Sequence, residues 1–139
     1  VRLEVLIAPH PPRTVRGRAL HLGDPLSFWG GVSPADGRLT DPRSARFGTP
    51  VSGRVLLIRE LRGSSSGSSV LLELAYRGLA PAAVIVGAPD AILALGSLVA
   101  AEMQWEAPGI YRLPLEDQER IPEEALLTID AEGTVVCTP

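Results

Sequence analysis

Lysine is missing from this sequence: all 13 cationic side chains among its 139 residues are arginine. That absence excludes a Schiff-base lysine and the phosphate-loop lysine that reaches a bound nucleotide's phosphates. Cysteine is nearly missing as well. The single Cys137 rules out an internal disulfide framework, and one thiolate cannot hold an iron–sulfur cluster. Aromatic residues make up only 4 % of the chain, so its 45 % hydrophobic content is mostly Ala, Val, Leu and Ile. There is no basic excess. A net charge of −3 leaves no electrostatic footprint for nucleic acid. Long apolar runs are absent too. The most apolar stretch, residues 91–103, is about half the length needed to span a bilayer. Residues 1–7 are short, charged and followed by prolines, unlike a secretory leader. The composition predicts one soluble, cytoplasmic domain over residues 1–139, with no membrane partner.

What is present divides the chain in two. Residues 1–7 and 17–22 alternate and read as strands, with Pro9, Pro11 and Pro12 between them. Ser33-Pro34-Ala35-Asp36-Gly37-Arg38 carries turn chemistry, and residues 41–50 read as irregular surface. The second half is more regular. Residues 54–58 and 82–86 are continuous apolar runs of strand length. Between them Val70, Leu71, Leu74 and Ala75 recur at helical spacing until Gly78 offers a cap. Pro89-Asp90 caps a second helix, apolar nearly all round, for which the pattern predicts a sandwiched position. Residues 110–113 form a short strand, and residues 125–136 a hairpin turning at Ala131-Glu132-Gly133. A mixed α/β fold with a small sheet flanked by helices follows.

The chemistry-bearing feature is the run Gly63-Ser64-Ser65-Ser66-Gly67-Ser68-Ser69, placed between a buried strand and a helix. A helix start offers backbone N–H groups without intrahelical acceptors, glycines admit close approach, and serine hydroxyls bind oxygens. Arg62 could add a fork for a carboxylate or phosphate. The bland alternative is an N-capping serine linker. A nucleotide loop fails for want of lysine. The run also matches the Gly-x-Ser-x-Gly nucleophile elbow around Ser65, but both histidines, His10 and His21, lie upstream of it. These two read as structural or solvent-facing, Cys137 as an inert terminal thiol, and Glu116-Asp117-Gln118-Glu119 with Glu123-Glu124 as solvated surface. Phe28 and Trp29, beside Gly30-Gly31, suit a cleft lining or the core equally well.

Taken together, Ser27-Phe28-Trp29-Gly30-Gly31, Gly63-Ser64-Ser65-Ser66-Gly67-Ser68 and Ala80-Pro81-Ala82-Ala83 resemble the small swivel domain of aconitase X, a branch of the aconitase superfamily of hydro-lyases. The similarity runs over residues 17–113. It implies a single swivelling β/β/α domain that closes over a large partner subunit carrying an iron–sulfur cluster. It also implies that Ser64 is the general base, with Ser27, Trp29, Gly30, Gly31, Arg62, Gly63, Ser65 and Ser66 around the substrate. Two small hydroxy acids are implied as substrates, cis-3-hydroxy-L-proline and mevalonate 5-phosphate. Residues 89–105 look closer to bacterial members, which puts the proline first. A non-catalytic module that binds a small anion is the alternative from another class.

Overall fold

The computed structural model describes residues 1–23, 26–59, 61 and 67–139, with only the backbone at Trp29. Seven strands form one sheet: β1 (Glu4–Ile7), β2 (Val15–Leu22), β3 (Val55–Ile58), β4 (Ala83–Val86), β5 (Gly109–Arg112), β6 (Leu126–Ile129) and β7 (Val135–Thr138). Their order is β1-β5-β4-β3-β2-β6-β7. Strands β2, β3, β4 and β5 run parallel, whereas β1, β6 and β7 add antiparallel pairs. Helices α1 (Phe28–Gly31), α2 (Gly67–Arg77), α3 (Ala91–Glu102) and α4 (Leu115–Gln118) complete the described elements.

The period of two in the central strands sorts their side chains into two cores. Leu56 and Ile58 of β3 and Val84 and Val86 of β4 face α2 and α3, meeting Val70, Leu71, Leu74 and Leu93. Val55 and Leu57 with Ala83 and Ile85 face the other way, onto Leu127 and Ile129 of β6. Both strands are buried on both sides, which is why they read as unbroken apolar runs. β2 serves both layers. Its first half (Val15, Arg16, Gly17, Arg18) pairs with β6, and its second half (Ala19, Leu20, His21, Leu22) pairs with β3. The outer edges are then tied together. Arg2 bridges Thr134, and the Leu3 N–H donates to the Gly133 carbonyl at 2.8 Å. The result is three layers, β6/β7, the main sheet and α2/α3, in agreement with the expected β/β/α arrangement.

Several local expectations need correction. β2 begins at Val15, two residues earlier than its alternation suggested, because β6 supplies a partner for that end. Residues 115–118 form a short helix rather than plain solvated surface. Gln118 is buried there and donates to the Leu113 carbonyl at 2.9 Å. Glu123 is likewise engaged, accepting from the His21 N–H at 3.1 Å and pairing with Arg46. The apolar helix α3 is not sandwiched. Only Leu93, Gly96, Ser97 and Ala100 are buried in it, and its other side faces outward. The hairpin β6/β7 and the turn at residues 33–38, closed by the Gly37 N–H on the Ser33 carbonyl at 2.8 Å, match expectation.

Candidate functional site

Strands β2, β3 and β4 end together at Leu22, Ile58 and Val86, and the segments leaving that end carry the motifs. In open α/β sheets ligands bind outside the carboxyl ends of parallel strands. Leu26 and Leu61, the residues just before Ser27 and Arg62, pair in a parallel bridge. On the far side of the serine run, Gly67 starts α2 with its Cβ position 3.8 Å from the Phe28 Cβ. One described flank of the run, Leu61, thus pairs just before the Ser27–Gly31 motif, and the other, Gly67, lies against Phe28 within it. Ser64, with Arg62, Gly63, Ser65 and Ser66, lies outside the described residues.

The motif itself folds as the one-turn helix α1. Phe28 is 2 % exposed, so this aromatic belongs to the core and does not line the cleft. The side chain of Trp29 lies outside the described residues. Gly30 is exposed at a φ of +78°, a left-handed conformation that a side chain would strain. Gly31 is buried; a Cβ there would come within 3.1 Å of the Leu26 Cδ1. Ser27 precedes the helix in extended conformation, and its hydroxyl makes no capping bond to it. Thr40 fixes both glycine carbonyls. Its Oγ1 donates to the Gly30 carbonyl at 3.0 Å and its N–H to the Gly31 carbonyl at 3.0 Å. Thr40 carries no local signal in the sequence, because its partners lie about ten residues away across a turn.

The second wall comes from α2 and α3. The first turn of α2 holds no acidic residue, so the helix itself puts no negative charge at the positive end of its dipole. Its C-terminus closes on Gly78, with Gly78 N–H to the Ala75 carbonyl at 3.2 Å and Leu79 N–H to the Leu74 carbonyl at 2.8 Å. In α3, Asp90 caps the start by accepting from the Leu93 N–H at 2.8 Å. Gly96 lies against the backbone of Ser68, where a Cβ would sit 2.8 Å from the carbonyl oxygen. The interior helix glycine therefore has a packing reason.

The histidines do structural work. His21 Nε2 lies 2.6 Å from the Ile121 carbonyl and His10 Nδ1 3.3 Å from that of Trp105, contacts that require each nitrogen to be the protonated donor. Cys137 is exposed on β7. Among the described residues no three His, Cys, Asp or Glu side chains gather as metal ligands, so these donors do not fit a metal or cluster. No helix among the described residues is long and apolar enough to cross a membrane.

Known proteins resemble this chain in sequence and in fold. The cis-3-hydroxy-L-proline dehydratase of Pseudomonas aeruginosa is 46 % identical over 97 residues, 66 % of this chain but 17 % of the relative's length. The phosphomevalonate dehydratase small subunit of Pyrococcus horikoshii is 34 % identical over 122 residues, covering 87 % of this chain and 91 % of that one. The crystal structure of holo aconitase X from Thermococcus kodakaraensis superposes with a TM-score of 0.80 at 26 % identity, over 100 % of this chain and 99 % of that chain. The aconitase X swivel domain family matches residues 9–137, so with the three-layer fold and the paired motif segments in place, the chain belongs to that family.

Proposed function

We propose that this chain is the swivel part of an aconitase X-type dehydratase, and that Ser64 takes a carbon-bound proton from a small hydroxy acid. The observation that carries the reading is the Leu26–Leu61 pairing together with the Phe28–Gly67 contact. They support it because they set Leu61 and Gly67, the described flanks of the serine run, beside Leu26 and Phe28. Dehydration removes a proton from carbon and releases the neighbouring hydroxyl as water. A neutral serine is a weak base, so its alkoxide needs nearby donors. The N-terminus of α2 and the Arg62 guanidinium are the candidates for that stabilisation. Ser27, Trp29, Gly30, Gly31, Gly63, Ser65 and Ser66 would hold the substrate's oxygens and exclude water.

Among the described residues no ligand set gathers that could hold a Lewis acid for the departing hydroxyl. In this reading the iron–sulfur cluster sits on a large cytoplasmic partner. Identity to the Pseudomonas relative favours cis-3-hydroxy-L-proline as substrate. Alignment with the Pyrococcus horikoshii small subunit over 91 % of its length supports mevalonate 5-phosphate as the second reading. The test is to purify the chain anaerobically with the aconitase X-type large chain from the same genome and assay both substrates. Ser64→Ala is expected to lower kcat by roughly 10²–10⁴-fold on the true substrate, as loss of a positioned base does. Equal turnover by the intact and substituted enzymes would remove Ser64 from the role. An intact pair inactive on both substrates would favour a non-catalytic anion-binding module.

A further inference from the structure

Paired glycines leave room beside the backbone, but they have no side chains by which packing could hold them. Glycine also has more conformational freedom to lose than any other residue. The Gly30-Gly31 corner shows both properties. At Gly30, exposed at a φ of +78°, no described atom lies within 4 Å of where a Cβ would stand. At Gly31 only the Leu26 Cδ1 does, at 3.1 Å. Beyond the turn of α1 itself, the described hydrogen bonds to the two glycine carbonyls both come from Thr40. Its Oγ1 donates to Gly30 and its N–H to Gly31, each at 3.0 Å.

Thr40 is anchored from the other side. Its neighbour Leu39 is 2 % exposed and bridges Val32 in antiparallel register. The Leu39 N–H donates to the Thr49 carbonyl at 2.9 Å, and its carbonyl accepts from the Gly48 N–H at 2.8 Å. The core thus fixes the backbone beside Thr40, and the Thr40 hydroxyl extends that fixity to an exposed corner that packing does not grip. We infer that Thr40 is a positioning residue for substrate binding; the inference rests on the functional reading above, in which Gly30 and Gly31 meet the substrate. Thr40 acts through the glycines and need not touch the substrate. Its effect is one of population. When only a fraction of the free protein holds the binding conformation, apparent affinity falls by that fraction. Saturating substrate restores the conformation, so loss of the hydroxyl falls on KM and spares kcat.

Thr40→Val tests this, because it keeps the side chain's shape and the backbone bond to Gly31 while removing the donor to Gly30. Paired with the aconitase X-type large chain from the same genome, it is expected to raise KM roughly 3- to 10-fold, the worth of one hydrogen bond, with kcat unchanged. Thr40→Ser, which restores the hydroxyl, should return KM to the parent value. In the isolated chain, the NMR order parameters of the Gly30 and Gly31 amides should fall in Thr40→Val from about 0.85, typical of rigid backbone, toward about 0.6. Should Thr40→Val fail to fold, Thr40→Ala serves instead. A purely structural role would lower the melting temperature without separating KM from kcat. A folded Thr40→Val protein with the parent's KM, or with parental order at both glycines, overturns the inference and leaves the functional reading standing. So does a rise in KM that Thr40→Ser shares. A parent pair inactive on both substrates overturns the two together.

Discussion

Replacing Gly96 by alanine sets two effects of opposite sign against each other. In the interior of α3, alanine is favoured over glycine by about 1 kcal/mol through helix propensity alone. Against this, the new Cβ would lie 2.8 Å from the Ser68 carbonyl oxygen, 3.2 Å from its Cα and 3.4 Å from its carbonyl carbon. Unstrained heavy-atom contacts sit near 3.5–4.0 Å. All three close atoms are backbone, so no side-chain rotation relieves them, and α3 and the first turn of α2 must move apart. Overpacking of this kind costs roughly 1–3 kcal/mol. The contact therefore outweighs propensity, with a net destabilisation of about 1 kcal/mol. For a domain of this size the melting temperature should fall by about 4 °C. Thermal unfolding followed by circular dichroism reads that shift directly. Activity should suffer more than stability, because the displaced turn follows the serine run; misplacement by about 1 Å can cost on the order of 100-fold in rate. A Gly96→Ala protein that melts above the parent would refute the reasoning, since propensity would then act with no opposing contact.

Two further outcomes follow from β5. At Gly109 a Cβ would lie 2.6 Å from the Tyr111 Cε2 and 2.7 Å from its Cζ. Tyr111 is 1 % exposed and has no room to swing away. Gly109→Ala should therefore lower stability by about 1–3 kcal/mol in chemical denaturation, and an unchanged midpoint would show that the ring relaxes freely. Burial raises the pKa of Tyr111 above the ordinary value of 10.0, with Arg13 opposing and Asp130 adding to the shift. The unfolded chain then loses the tyrosine proton at lower pH than the folded one. Tyr111's contribution is fully present below pH 10.0 and is lost as the pH rises from there through its folded value. Denaturation midpoints should fall more steeply over that range for the parent than for Tyr111→Phe.

Much of the fold can be read without coordinates, for identifiable reasons. β3 and β4 are legible because burial on both faces demands unbroken apolar runs. α2 is legible because one face packs and the other is solvated, so its apolar residues recur at helical spacing and Gly78 ends it. The motif segments could be recognised one by one, and their resemblance together indicated the family. The bridge from Leu26 to Leu61, which joins the chain just before each of the first two segments, is not encoded by local pattern.

α3 marks the boundary most clearly. Its composition determines that both sides are apolar, and from that a sandwiched helix follows. The tertiary structure decides that one side packs on α2, β1 and β5 while the row through Leu95 and Leu98 faces outward. A hydrophobic pattern records which residues are apolar, whereas the fold of the chain covers only those its own elements can reach. The same separation holds elsewhere. Lack of lysine and a single cysteine determine which chemistries this chain cannot perform unaided. Long-range contacts decide the rest: Thr40 clamping Gly30 and Gly31, Gly96 set on Ser68, and Arg2 joined to Thr134 across the closing edges. Each of these joins residues that are distant in the chain or separated by a turn, so only folding brings them together.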